Sequence, residues 1–182
     1  MTKLPKANLE LKADIKKALI DYKNVWNSPT KVFEELCFCI LTPQSAARKA
    51  ELTINLLKKN KLLNKGTAKD KEPFMKNIRF YITKAKRLET IQEEFPKSKI
   101  KKILIKKHIL TNPLLTREFL VKEVNGFGYK EASHFLRNIG FYEDVAILDR
   151  HILKNIIKFG IIKEIPKKLN KKNYLLIEDK MK

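Results

Sequence analysis

Cysteine is nearly absent: the 182 residues contain two, Cys37 and Cys39, both inside the apolar run Leu36–Leu41. Cysteines so placed cannot build a disulfide framework, so both read as buried thiols and a packed core must hold the chain together. Long apolar runs are missing too. No stretch approaches the roughly 20 residues that a membrane span requires, and Met1-Thr-Lys-Leu-Pro5 lacks the apolar centre of a signal peptide. The expectation is a cytoplasmic protein, neither secreted nor membrane-bound. No segment alternates apolar and polar residues for long enough to need a sheet, no repeat recurs, and no flexible linker divides the chain. An all-α fold follows.

What is abundant is positive charge. Forty Lys and Arg against 20 Asp and Glu give a net charge of +20, and 43% hydrophobic residues supply enough apolar surface for a core. A charge of this size favours a polyanionic partner through counterion release. Only six of the forty are arginine. A lysine excess is also a common way to solvate a surface.

Apolar residues at helical spacing place a first amphipathic helix at about 7–26, from Leu11 to Trp26. Ser28-Pro29 supplies an N-cap and a first-turn proline for a largely apolar, central helix from Thr30 to about Leu41. Thr42-Pro43-Gln44-Ser45 stops it, and another helix runs from about Ala46 to Leu57. Phe74–Phe95 reads as one helix. Lys97–Lys107, Ile and Leu among six lysines, reads as a helix with one buried face. Arg117–Val124 is a short helix that leads into Asn125-Gly126-Phe127-Gly128.

From Phe119 to Gly140 the chain reads FLVKEVNGFGYKEASHFLRNIG. A helix ends, two glycines one residue apart make a tight turn, and a second helix carries Ala132, Phe135, Leu136 and Ile139 on one face. Glycines at 126 and 128 allow positive φ and a close backbone approach, and unpaired amides opening the second helix suit a phosphate. Lys130 lies in the first turn of that helix, where the macrodipole disfavours a second positive charge. Partial burial acts in the same direction, towards the neutral amine that a nucleophile requires. Downstream, Val145-Ala146-Ile147-Leu148 leads into Asp149-Arg150-His151, with Asp149 at the N-cap of a helix ending at Gly160. A carboxylate in that position stays ionised and can stabilise positive charge developing on a sugar ring.

The hairpin, the lysine two residues past its second glycine and the downstream Asp-x-His resemble the helix-hairpin-helix superfamily of base-excision DNA glycosylases. Within it, GYKEASHFLRNIG and AILDRHIL are similar to the archaeal-type 8-oxoguanine DNA glycosylase/AP lyases. Glu35-Leu-Cys-Phe-Cys-Ile-Leu-Thr42 and Arg79-Phe-Tyr-x-x-Lys-Ala-Lys-Arg87 resemble the same group. The resemblance implies a two-lobed helical bundle over residues 1–182, with the active site between the lobes and the hairpin at 117–140. It implies a monomer acting on double-stranded DNA that carries a damaged base, flipped out of the duplex for the chemistry. Lys130 would attack C1′, expel the base and form a Schiff base that breaks the strand by β-elimination, with Asp149 assisting. Gly126, Phe127, Gly128 and Tyr129 would hold a phosphate. His151, Arg150 and Arg48 would add DNA contacts, Gln44 would enter the gap in the duplex, and Phe80 would lie beside the lesion or the opposite base.

The resemblance has departures. Relatives such as endonuclease III hold an iron–sulfur cluster on four cysteines, which Cys37 and Cys39 cannot supply, so no cofactor is implied. Asn125 stands where proline is common, and Thr42-Pro43-Gln44 differs from the usual turn. Archaeal-type enzymes continue past the region matching Tyr174–Lys182 into a tail that contacts the damaged base. The expectation here is faster cutting at an abasic site than at 8-oxoguanine. Two alternatives remain at this stage: a glycosylase/lyase for another lesion, such as an oxidised pyrimidine or an abasic site, and a non-catalytic hairpin module that only grips phosphates.

Overall fold

The computed structural model describes residues 3–182, with side chains from residue 11 onward. Ten α-helices and no strand occur among the described residues. The first is α1 (Lys3–Val25). At α2 (Pro29–Leu41), the Ser28 hydroxyl accepts the Lys31 amide and Pro29 occupies the first turn. This is the axis of the fold: Val32, Phe33, Leu36, Cys37, Cys39, Ile40 and Leu41 are all buried along it. At about 1.5–3 kcal/mol per buried large apolar side chain, this stripe is a main source of stability. Around it pack α3 (Ala47–Lys59), α5 (Tyr81–Glu94), α6 (Ile100–Lys106) and α8 (Tyr129–Asn138). The short α4 (Ala68–Lys71) runs into a 3-10 turn at Glu72–Phe74, and α7 (Pro113–Glu123) forms the hairpin with α8. The chain closes with α9 (Arg150–Lys158) and α10 (Lys171–Met181).

Three helix boundaries differ from the sequence expectation. The helix expected over Phe74–Phe95 starts only at Tyr81, because Phe80 is left-handed (φ 59°) and a left-handed residue cannot continue an α-helix. Met75 and Ile78 are buried in the same core as Ala85 and Leu88, so the apolar spacing runs unbroken across a break in the backbone. The helix expected from Arg117 starts at Pro113, where the Asn112 side chain accepts the amides of Leu114 and Leu115 at 3.1 and 3.3 Å. The Lys97–Lys107 segment is helical only over Ile100–Lys106, after a turn in which the Pro96 carbonyl accepts two amides.

Apolar side chains form two clusters. The larger surrounds α2, and the smaller contains Leu148, Leu153, Ile156, Ile162, Tyr174 and Ile177 from α9, α10 and the segments on either side of α9. Helix α8 belongs to both: Ala132, Phe135 and Leu136 join the larger cluster, and Tyr129 at its start packs on the smaller. Beyond α8, Gly140 (φ +95°) has the backbone of α1 against it, and a Cβ there would meet Lys23 Cα at 2.8 Å. No other residue fits that position. No described helix is long and apolar enough to cross a membrane.

Candidate active site

The hairpin turn is built differently at its two glycines. Gly126 has φ +95° and needs glycine for that reason, and the Arg87 guanidinium of α5 lies against it. Gly128 is extended (φ −110°), so the expected positive φ applies to Gly126 alone. The amides expected to be open are partly engaged as well. Phe127 donates its N–H to the Val124 carbonyl, and Gly128 donates to the Glu131 carboxylate at 3.1 Å. Phe127 itself is a core residue, packed near Phe135, so its side chain does not face outward. Tyr129 directs its hydroxyl to both Glu118 oxygens at 2.6 Å and leans on Tyr174. Burial, then the bond to Glu118, pushes the Tyr129 phenol pKa up.

Lys130 occupies the first turn of α8, half-buried, with Nζ 3.5 Å from the Glu131 carboxylate. Asp149 is the N-cap of α9, where one oxygen, Oδ1, accepts the amides of both His151 and Ile152 at 2.8 Å. The second oxygen is not used by the cap. Arg150 and His151 begin the helix and are exposed, with Arg150 Nε donating to His151 Nε2 at 3.4 Å.

His134 is the half-buried histidine of α8. It lies one turn beyond Lys130 on the same face of α8 and packs edge-on to Phe38 with centroids 5.9 Å apart. Its Nδ1 is buried without a hydrogen-bond partner. Burial lowers its pKa to about 4, with Arg137 and Lys130 adding to the shift and Asp149 opposing it. The imidazole is therefore neutral at pH 7. The spacing of four residues from Lys130 is the signal that could have singled it out.

A second pair of turns lies apart from the hairpin. Gln44 (φ 55°) and Phe80 (φ 59°) are both non-glycine residues in the left-handed region, and both are exposed, as is Arg48. The Arg79 guanidinium stands 4.8 Å over the Phe80 ring. Ser45 Oγ accepts the Arg79 amide at 3.2 Å and the buried Lys84 ammonium at 3.1 Å. Lys84 also donates to the carbonyls of Leu41 and Pro43, each at 2.7 Å, closing the C-terminus of α2. Burial, then the charge of Arg87, lowers the Lys84 pKa to about 8. Sequence reasoning placed Lys84 in a motif without seeing that it ties the Gln44 turn to the Phe80 turn. Among the described residues no three His, Cys, Asp or Glu side chains come together to hold a metal ion.

Comparison with known proteins identifies the family. The model of the family described as 8-oxoguanine DNA glycosylase matches residues 15–182. This chain belongs to the 8-oxoguanine DNA glycosylase family. It is 44% identical over 177 residues to an 8-oxoguanine DNA glycosylase/AP lyase of Fusobacterium nucleatum, covering 95% of this chain and 81% of that protein. A Methanocaldococcus jannaschii protein of the same description is 40% identical over 179 residues, covering 94% and 80%. The crystal structure of the M. jannaschii glycosylase/lyase in complex with a 15mer DNA containing 8-oxoguanine superposes with a TM-score of 0.83 at 36% identity, covering 98% and 86%. The glycosylase of Thermotoga maritima gives 0.85 at 31% identity, covering 98% and 83%. The helical architecture read from the sequence is thus the architecture of this glycosylase family.

Proposed function

We propose that Lys130 and Asp149 carry the chemistry of this bifunctional DNA-repair enzyme, an 8-oxoguanine DNA glycosylase and AP lyase. The substrate is double-stranded DNA containing 8-oxoguanine, which places the work at the nucleoid in the cytoplasm, and the enzyme acts as a monomer. In this reading the active site lies between the two apolar clusters, beside α8, which belongs to both. The single observation that carries this reading is that Asp149 caps α9 through one carboxylate oxygen alone, which leaves the other to meet positive charge, while Lys130 stands half-buried in the first turn of α8.

The deprotonated Lys130 amine attacks C1′ of the everted nucleotide as the glycosidic bond breaks, and the base leaves with the bonding electrons and takes up a proton. Positive charge grows on the sugar ring in that step, and the free oxygen of Asp149 stabilises it. Ring opening gives the Schiff base. Loss of a C2′ proton then expels the 3′ phosphate and cuts the strand. The open amides of Tyr129 and Lys130 at the N-terminus of α8 supply a phosphate seat, with Gly126 and Arg87 beside it. Arg150, His151 and Arg48 add phosphate contacts. Gln44 fills the vacated position in the duplex and Phe80 packs beside it, both presented by turns that Lys84 and Ser45 hold in place.

Incubating the protein with single-lesion duplexes tests the substrate, and borohydride trapping on an abasic-site duplex tests the amine. Cutting of 8-oxoguanine duplex above duplexes with other damaged bases, with a covalent adduct on reduction at an abasic site, is the expected result. A grip without chemistry would give binding and no adduct.

A further inference from the structure

A buried polar hub lies behind the proposed pair. Arg117 of α7 and Glu178 of α10, 61 residues apart in sequence, form a two-pronged pair with N–O distances of 2.7 and 2.9 Å. Both side chains are almost wholly buried. The same Glu178 oxygen accepts the Ala146 amide at 2.7 Å. From one turn earlier on α10, the Tyr174 hydroxyl donates to the Ala146 carbonyl at 2.6 Å and accepts the Leu148 amide at 3.2 Å. Ala146 and Leu148 belong to the irregular segment that ends at Asp149. On the other side, Arg117 Nη1 lies 3.3 Å and the Tyr174 hydroxyl 3.4 Å from Ser133 Oγ. Ser133 is one turn past Lys130 on α8.

A segment with no secondary structure has no ladder to fix it, so its backbone groups must be satisfied by side chains. Here three of them are satisfied by α10 alone. A buried ion pair is a costly way to gain stability, since desolvation offsets most of the attraction. Its distinctive property is directional: a guanidinium and a carboxylate meeting two-on-two fix distance and angle together. We propose that Arg117, Ser133, Tyr174 and Glu178 are positioning residues, which set the reach of Asp149 towards Lys130. The inference rests on the proposed roles of Lys130 and Asp149. It makes Tyr174 and Glu178 of α10 a support for the reacting pair.

The test uses the whole chain with abasic-site duplex at saturating enzyme in single turnover. Tyr174→Phe keeps the ring and removes the hydroxyl shared by Ala146, Leu148 and Ser133. A misplacement on the order of an ångström at a reacting group costs up to about 100-fold in rate, so the lyase step should slow at least about tenfold. DNA affinity should stay within about threefold, because no phosphate contact is lost. Ile177→Val, in the apolar cluster on the same helix, is the control: it should lower the melting temperature and leave the rate per folded molecule unchanged. If Tyr174→Phe does not fold, Ser133→Ala is read by the same criterion. A wild-type rate in the hydroxyl variant, or equal slowing by Ile177→Val, overturns the inference and leaves the hub a purely structural feature. Lys130→Gln is run alongside: if it still cuts, the underlying assignment of the nucleophile has failed, which is a separate outcome.

Discussion

The two helices that carry the proposed reacting groups begin in different ways. Helix α9 is capped by its own N-cap residue, and Asp149 commits one oxygen to two amides. Helix α8 has glycine at the N-cap, with no side chain to offer, and draws its carboxylate from Glu131 inside the first turn. The first arrangement leaves a fixed anion with one oxygen free. The second leaves a lysine in the first turn with an acidic neighbour that would occupy part of the proposed phosphate seat. A helix N-terminus can therefore serve either as a mount for a carboxylate or as a receptor for a phosphate, and the identity of the N-cap residue decides which.

The largest effect that would test this contrast is at α8. Lys130→Gln should abolish strand cleavage and borohydride trapping, with lesion-DNA binding within about tenfold, since one hydrogen bond is worth about 1 kcal/mol. Asp149→Asn keeps a capping oxygen and removes the charge. Turnover should fall by about 100-fold or more while the melting temperature barely moves. Melting without loss of specific activity would instead make Asp149 only a cap.

A smaller effect is expected at Glu131. Glu131→Gln retains an acceptor for the Gly128 amide and removes negative charge from the hairpin, so affinity for undamaged duplex should rise about two- to fivefold at low salt and the gain should shrink as salt screens it. Weaker binding would show that Glu131 does not compete for the phosphate seat.

The smallest effect concerns His134. Its pKa falls from 6.5 to about 4 on folding, so between those values the unfolded chain binds the extra proton and the folded chain does not. Stability is therefore complete above pH 6.5 and is lost as pH falls towards 4. Thermal melts of His134→Gln against the parent should show a shallower loss across that window. Identical slopes would mean that the imidazole takes up its proton in the folded protein.

Much of this contrast was legible in the sequence because it is local. Ser28-Pro29, the hairpin glycines and Asp149 at its cap are signals a few residues long, read against helical spacing. Phe80 was missed as a break because the apolar residues on either side of it share one core and keep helical spacing. The Asn112-Pro113 start of α7 carried a cap and a first-turn proline that went unread. Glu178 and Arg117, separated by 61 residues, have no periodic signature, since a pair that closes a fold is visible only once the fold exists. Lys84 likewise reads as one lysine among many until its three acceptors are seen.

With 40 Lys and Arg residues in the chain, loss of activity in one variant is weaker evidence than the location of the bond itself. The decisive measurement is borohydride trapping on an abasic-site duplex, followed by digestion and peptide mapping by mass spectrometry. The account predicts a single modified position, the peptide containing Lys130, formed quickly by wild-type protein and slowly by Asp149→Asn. An adduct mapped to any other lysine, or spread over several, would contradict it.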